Sequence, residues 1–303
     1  MSRVLHMRYC EEIKNYLSNK VPDDFSESEA ELCGILQSTF ISTDEFLTET
    51  ASAAAARLIF RLIHTVLGFK AALTAKKRSE PGRRSLYAIQ IQDSARAKEA
   101  IRYFSLDTLS DTSSFASEEN SLRAYLRGVF LMRGYCTDPQ KGYLIEFTFA
   151  RDSFAEMFHG ILTSLELTFR MRRKNGLCCL YSKNQETYTT FLALIGANEH
   201  YLKAQSEISL KEMKNMMQRR VNTETANLNK VVEASLHQTK AIENLIKNDK
   251  LSALAPSLAE AAQLRLEYPE SSLSEMIEQS GIRISRSALS YRLKKLVEIS
   301  ELD

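Results

Sequence analysis

The sequence predicts a protein of two domains: an α+β domain built from two similar units, then an all-α domain ending in a helix-turn-helix. Three observations predict this. The same order of helix, strand, helix, hairpin and helix occurs twice before residue 200, and a stretch without Pro or Gly follows from residue 201 to about 248. Residues 271–296 then read as two short helices with a tight connection. A chain of 303 residues is long enough for domains at residues 1–200 and 201–303.

The first unit, residues 20–105, opens with a helix that carries Leu32, Ile35 and Leu36 at helical spacing. Turn residues and alternating apolar positions mark the elements after it. The predicted order is a helix at 26–40, a strand at 46–50, an Ala-rich helix to about 67, a hairpin with its tip at 79–82, a strand at 87–91 and a helix at 93–104.

The second unit, residues 117–196, repeats that order. Asp152 is predicted to cap its middle helix, and Asn175-Gly176 is a strong signal for a tight hairpin turn. Its predicted elements are a helix at 121–132, a strand at 143–149, a helix at 152–165, hairpin strands at 167–173 and 177–181, and a helix at 184–195.

Gly34 and Gly128 occupy equivalent places in the opening helices of the two units. A glycine inside a helix costs about 1 kcal/mol relative to alanine. Two of them at matched positions indicate that the two helix backbones approach closely. The alternative is that both glycines are incidental.

The stretch from residue 201 to about 248 reads as one long helix, or as two helices with a break near Asn222. Pro256 and Pro269 then bracket a further helix at 257–268. In the terminal segment Ser272 and Glu275 form a capping box that starts the first short helix. Gly281 supplies the turn.

The second short helix has its start capped by Ser285 and an inward stripe of Leu289, Leu293 and Leu296. Every charge on it is positive in this reading, because five basic residues and no acidic one lie between Gln279 and Val297. Such a one-sided basic face is typical of a helix that lies against duplex DNA. The candidates for base contact are Arg286, Ser287, Ser290 and Tyr291, and those for phosphate contact are Arg292, Lys294 and Lys295. The alternative is a solvated basic face on a helical domain that binds protein.

Three blocks of sequence resemble the WhiA family of bacterial DNA-binding proteins: residues 122–134 with 138–143, residues 220–227 and residues 285–295. The resemblance covers nearly the whole chain. It implies a domain with the fold of LAGLIDADG homing endonucleases, a helical DNA-binding domain, and a role in sporulation, cell division or chromosome segregation. Arg219 and Arg220, at the second block, join the predicted DNA-binding residues. Tyr291 departs from the family, where histidine is expected.

The family's fold raises the question of nuclease activity. LAGLIDADG nucleases hold divalent metal with an acidic residue at the foot of each paired helix. The matching positions here are Thr39 and Arg133, and neither supplies a carboxylate. Arg133 suits a phosphate contact instead. Asp44 and Asp138 lie in loops beyond the helix feet, so the sequence predicts no catalytic residue.

Other chemistry has little support in the sequence. The five histidines are dispersed, and there is no HExxH, GxGxxG or GxxxxGK[ST] pattern. The five cysteines lack CxxC spacing, which predicts reduced thiols in place of a disulfide or zinc framework. We therefore expect no metal and no cofactor. The most apolar stretch, residues 51–67, is interrupted by two arginines and a histidine, which argues against a membrane span.

The favoured hypothesis is a cytoplasmic, nucleoid-associated regulator that reads double-stranded DNA and is not an enzyme. The net charge of +2 requires that attraction to DNA come from local patches. One alternative is an active homing-type endonuclease, which the missing carboxylates oppose. Another is a scaffold that contacts RNA polymerase or a sigma factor and binds DNA weakly.

Overall fold

A computed structural model describes residues 2–40, 47–76, 86–109 and 118–301. The predicted hairpin tip at 79–82, and Phe46 at the start of the predicted first strand, lie outside these residues. The helices and strands follow in this order: α1 (Ser2–Ser18), α2 (Phe25–Thr39), β1 (Leu47–Thr50), α3 (Ala53–Leu67), β2 (Ala72–Lys76), β3 (Leu86–Gln90), α4 (Ser94–Tyr103), α5 (Glu119–Arg133), β4 (Gly134–Cys136), β5 (Ile145–Phe149), α6 (Asp152–Ser164), β6 (Arg170–Lys174), β7 (Leu177–Ser182), α7 (Gln185–Leu194), α8 (Asn198–Lys247), α9 (Pro256–Glu267), α10 (Leu273–Ser280) and α11 (Arg286–Glu301).

The chain divides into two compact units, Met1–Leu210 and Lys211–Asp303. Helix α8 begins in the first unit and ends in the second, and it is continuous. The break considered near Asn222 is therefore absent. Asparagine favours helix ends because its side chain competes for backbone hydrogen bonds. Here the Asn222 amide oxygen instead accepts a hydrogen bond from Gln218 Nε2 at 2.8 Å, one turn earlier on the same helix.

Each half of the first unit carries its own antiparallel sheet. The first sheet has the strand order β1-β3-β2, and the second has the order β4-β5-β7-β6. The predicted turn between β6 and β7 is confirmed, since Asn175 and Gly176 both adopt positive φ angles, of 53° and 75°. Such a turn matches the twist of the flanking strands.

Helices α2 and α5 pack against each other at the centre of the first unit. A Cβ atom on Gly34 would lie 2.3 Å from the carbonyl oxygen of Tyr125, and one on Gly128 would lie 2.2 Å from that of Glu31. The close approach predicted from these two glycines is confirmed. It is reciprocal, because each glycine makes room for a backbone carbonyl of the opposite helix.

A buried ion pair joins the same two helices. The Arg127 guanidinium donates to both carboxylate oxygens of Glu31, at 3.1 and 2.9 Å, and a second acid, Glu27, lies 3.8 Å away. Burial raises the pKa of Glu31, and the attraction of Arg127 opposes that rise. Breaking such a pair by removing one partner is costly, because a buried charge is left uncompensated.

Besides strand β4, which was not predicted, two features of the first unit differ from the prediction. Asp152 does not cap α6: the capping position belongs to Arg151 and makes no side-chain capping bond, while the Asp152 carboxylate pairs with Arg173 of β6. Helix α1 was not predicted. Helix α1 contributes Tyr9, Ile13 and Leu17 to the core, where they are buried against the rest of the unit.

The second unit is helical and has its own apolar core, formed by the end of α8 with α9, α10 and α11. Helix α9 begins with Pro256, whose fixed φ suits the first position of a helix. Within the described ranges of the chain, no helix is both long enough and apolar enough to span a membrane.

Candidate nucleic-acid interface

The connection between α10 and α11 has the local structure that the sequence predicts. Ser272 and Glu275 form the capping box, with the Ser272 N–H donating to the Glu275 carboxylate at 2.7 Å. Gly281 ends α10 in a left-handed conformation, with a φ of 66°. The Ser285 hydroxyl oxygen then accepts from the Ala288 N–H at 3.2 Å, which starts α11. These caps fix where the second helix begins and therefore which residues it presents.

Helix α11 is held in place by its predicted inward stripe. Leu289, Leu293 and Leu296 are fully buried, and they share a core with Met276 of α10 and Ile242 of α8. Because successive residues of a helix are about 100° apart, this anchor turns the opposite side of α11 outward.

The outward face of α11 carries most of the residues predicted to contact DNA. Tyr291 is prominent among them, with 68% of its surface exposed. The Ser287 hydroxyl lies 3.1 Å from that of Ser285 at the start of the helix. The other exposed members are Arg286, Ser290, Lys294 and Lys295.

Arg292 lies on the flank of α11 and not on its outward face. Its Nη1 atom is 3.1 Å from Oε2 of Glu260 on α9. Lys295, although exposed, also has an acidic neighbour, since its ammonium is 3.2 Å from Glu298 of the same helix. The expectation that every charge on this helix is positive is wrong, because α11 continues to Glu301 and includes Glu298.

The two arginines predicted on α8 are both exposed. The Arg220 Nε atom lies 3.0 Å from the Glu224 carboxylate, one turn further along. The backbone carbonyl of Arg219 accepts a hydrogen bond from the Thr223 hydroxyl at 2.9 Å. This bond does not involve the Arg219 guanidinium. Ion pairs at this spacing on an exposed helix contribute only about 0.3–0.5 kcal/mol, so the pairing of Arg220 is easily exchanged for another anion.

The feet of the paired helices α2 and α5 carry Thr39 and Arg133. The Thr39 hydroxyl is buried, donates to the Ile35 carbonyl at 2.8 Å and lies 3.1 Å from the Thr48 hydroxyl. Arg133 Nε donates to the Ser38 carbonyl at 3.0 Å, and burial lowers the pKa of Arg133. A cation at the carboxyl end of a helix is favourable, so Arg133 stabilises the end of α2. Its predicted phosphate contact stays a prediction.

Sequence reasoning missed a second basic side chain at this place, Lys14 of α1. Its ammonium lies 5.6 Å from the centre of the Phe130 ring. Burial lowers the pKa of Lys14, and the nearby charge of Arg133 lowers it further. Lys14 belongs to no motif and is distant in sequence from Arg133, so no local pattern could have linked the two residues.

Of the two carboxylates considered as metal ligands, the structure describes only Asp138. Asp138 Oδ1 accepts from the Gln140 N–H at 3.0 Å within its own loop, and Asp44 lies outside the described residues. Across residues 2–40, 47–76, 86–109 and 118–301, no group of three or more His, Cys, Asp or Glu side chains is arranged to hold a metal ion.

Both parts of this architecture match domains of known proteins. Residues 122–214 match the family model described as the WhiA LAGLIDADG-like domain, and residues 217–300 match the WhiA C-terminal HTH domain. The chain is thus a protein in which a LAGLIDADG-like domain precedes a helix-turn-helix domain, which confirms the predicted fold class.

Relatives match over most of the chain. "Probable cell division protein WhiA" of Clostridium botulinum (strain Hall) is 29% identical over 310 residues, covering 97% of this chain and 98% of that protein. The protein of the same name from Heliobacterium modesticaldum is 30% identical over 258 residues, covering 83% and 81%. The crystal structure of full-length DUF199/WhiA from Thermatoga maritima has a similar fold, with a TM-score of 0.59 at 21% identity, covering 96% of this chain and 97% of that one. The chain belongs to the WhiA family.

Proposed function

We propose that this protein is a sequence-specific DNA-binding regulator of transcription without nuclease activity. In this proposal residues 1–200 form an inactive LAGLIDADG-like domain, and residues 201–303 form a helical linker and the DNA-reading domain. The single observation that carries the proposal is the outward face of α11, where Tyr291, Ser287 and Lys294 are exposed at the end of a capped helix-turn-helix.

The roles of the α11 residues follow from their position along the helix. Residues at the start of the second helix of such a motif reach base edges, and basic residues further along meet phosphates. Arg286, Ser287, Ser290 and Tyr291 are therefore assigned to base edges. Arg292, Lys294 and Lys295 are assigned to phosphates, with Arg219 and Arg220 of α8 as further phosphate contacts.

The residues at the feet of helices α2 and α5 oppose nuclease activity. Metal-dependent hydrolysis of DNA needs carboxylate ligands where the scissile phosphate is held. Thr39 and Arg133 occupy those positions, and Arg133 brings a positive charge there. A positive charge at the helix feet repels a divalent cation and attracts an anion. Arg133 is proposed to contact a DNA phosphate there.

The cellular role is proposed from the names of the relatives, which are called cell division proteins. We propose control of sporulation, cell division or chromosome segregation by a cytoplasmic protein associated with the nucleoid. Its partner is double-stranded DNA, and RNA polymerase or a sigma factor is a second partner.

A scaffold that binds DNA weakly is the second candidate function. The middle of α8 favours it, because large apolar side chains stand exposed there among polar residues. The most exposed of them are Met213, Met216, Met217, Leu228 and Leu236. Methionine-rich surfaces adapt to varied protein partners.

The experiment measures fluorescence anisotropy of a random-sequence duplex with the full-length protein across a salt series, with Mg²⁺ present. Lys294→Gln is compared with Lys247→Gln, which removes the same charge from an exposed position at the end of α8. We expect a steep salt dependence, a slope smaller by about 0.9 in Lys294→Gln, an unchanged slope in Lys247→Gln, and intact DNA. A slope that is the same in both variants would favour the scaffold, and cleaved DNA would show an active nuclease.

A further inference from the structure

Arg292 of α11 is engaged by a neighbouring helix. Its guanidinium lies 3.1 Å from the Glu260 carboxylate of α9, and the two helices pack against each other. The Arg292 side chain is 27% exposed and the Glu260 side chain is 53% exposed. The pair therefore lies at the edge of the α9–α11 contact, where solvent or another anion can reach it.

The position of Arg292 on α11 explains this pairing. Arg292 lies roughly 60° from the middle of the buried leucine stripe, whereas Lys294 lies roughly 130° from it. Its side chain thus runs along the α9 side of the helix before it reaches solvent. Among the ion pairs of the described residues, none includes Lys294. The two cations are consequently unequal, since one is already neutralised by an acid and the other is not.

We propose that Glu260 is a positioning residue that holds Arg292 back from DNA phosphates and thereby sets the strength of sequence-independent binding. This inference rests on the proposed DNA binding by α11. A phosphate that takes Arg292 must displace the Glu260 carboxylate and must then lie near that negative charge. The opposition is the same for every DNA sequence, so it lowers the sequence-independent part of binding.

The restraint on Arg292 differs from the one on Lys295. Arg292 and Glu260 belong to separate helices whose positions are fixed by a common core, so the geometry is set before DNA arrives. Lys295 and Glu298 are three residues apart on one exposed face, and the flexible lysine can leave its partner without moving either helix. Of these two acids, Glu260 is therefore the one whose removal changes DNA binding more.

The test is the Glu260→Gln variant of the full-length protein, titrated against a random-sequence duplex across a salt series. We expect its affinity to rise about three- to tenfold, and the salt slope to steepen by about 0.9, the value for one added phosphate contact. Glu267→Gln is the matched control, since it removes the same charge from an exposed position on the same helix. The double variant Glu260→Gln with Arg292→Gln also removes the guanidinium on which Glu260 is proposed to act.

The outcomes separate this inference from the function on which it rests. It is supported if Glu260→Gln binds the duplex more tightly than Glu267→Gln and with a steeper salt slope, and if both differences disappear in the double variant. Equal effects in the two single variants, or an excess that persists without Arg292, would overturn the role of Glu260 and leave the DNA-binding proposal intact. A wild-type protein with no salt-dependent binding would overturn both. Thermal unfolding of each variant checks that the exposed substitutions leave the fold unchanged.

Discussion

The glycine contact between α2 and α5 gives the sharpest test of the fold. In Gly34→Ala the added methyl group would lie 2.3 Å from the Tyr125 carbonyl oxygen and 3.2 Å from the Val129 amide nitrogen. Both are backbone atoms of the facing helix, so no side-chain rotation relieves the clash. The two helices would have to separate by roughly 1 Å, which loosens the packing along their length.

The expected magnitude comes from two opposing terms. Overpacking of a well-packed core costs about 1–3 kcal/mol and occasionally more, and a clash with backbone falls at the upper end. Alanine recovers about 1 kcal/mol of helix propensity relative to glycine. We therefore expect Gly34→Ala to lower the free energy of unfolding by about 2 kcal/mol, which corresponds to about 4–8 °C in the Tm of a unit of this size.

Gly160→Ala is the matched control. Gly160 lies within α6, is exposed, and has nothing within 4 Å of a Cβ atom built on it. The same substitution should raise stability there by about 0.5–1 kcal/mol. Thermal and urea unfolding followed by circular dichroism measures both variants. If Gly34→Ala were as stable as Gly160→Ala, the close approach of the two helices would be refuted.

Three further predictions concern particular contacts. Arg127→Met should lower the free energy of unfolding by about 3–5 kcal/mol near neutral pH, because Glu31 is left buried without its partner. Burial raises the folded pKa of Glu31 above the unfolded value, so this loss should shrink as the pH falls and Glu31 becomes protonated in both states. A loss that does not depend on pH in urea unfolding would contradict this. Ser272→Ala should cost about 1 kcal/mol and speed amide exchange in the first turn of α10, whereas unchanged exchange would show that the cap contributes little. Leu293→Ala should cost about 2–5 kcal/mol in the second unit and weaken DNA binding with it, and full binding by that variant would disconnect α11 from the function.

Local signals in the sequence predicted much of the fold. The capping box at Ser272, the turn at Gly281 and the leucine stripe of α11 are all interactions within a few residues, so sequence spacing alone determines them. The paired glycines were informative for a different reason. A glycine within a helix is unfavourable on its own, so its presence at Gly34 and Gly128 indicated a contact elsewhere in the chain.

The differences from the prediction arise where a distant residue decides the outcome. Asp152 has the chemistry of a capping residue, but it is the first residue of α6 and not the cap, and Arg173 of a later strand binds its carboxylate. The pairing of Arg292 with Glu260 joins residues 32 positions apart, and no periodicity reveals it. Lys14 reaches the feet of the paired helices only because α1 packs there, through apolar residues that carry no recognisable motif.

The central claim is that the outward face of α11 binds DNA, and photo-crosslinking tests it most directly. The full-length protein would be irradiated with a random-sequence duplex that carries iodouracil, and the modified peptides mapped by mass spectrometry. Tyr291 is 68% exposed and has the aromatic ring that such a probe attacks. We expect crosslinks to concentrate in the peptide containing Ser290 and Tyr291 and to decrease in Lys294→Gln. Crosslinks found only outside α11 would contradict it.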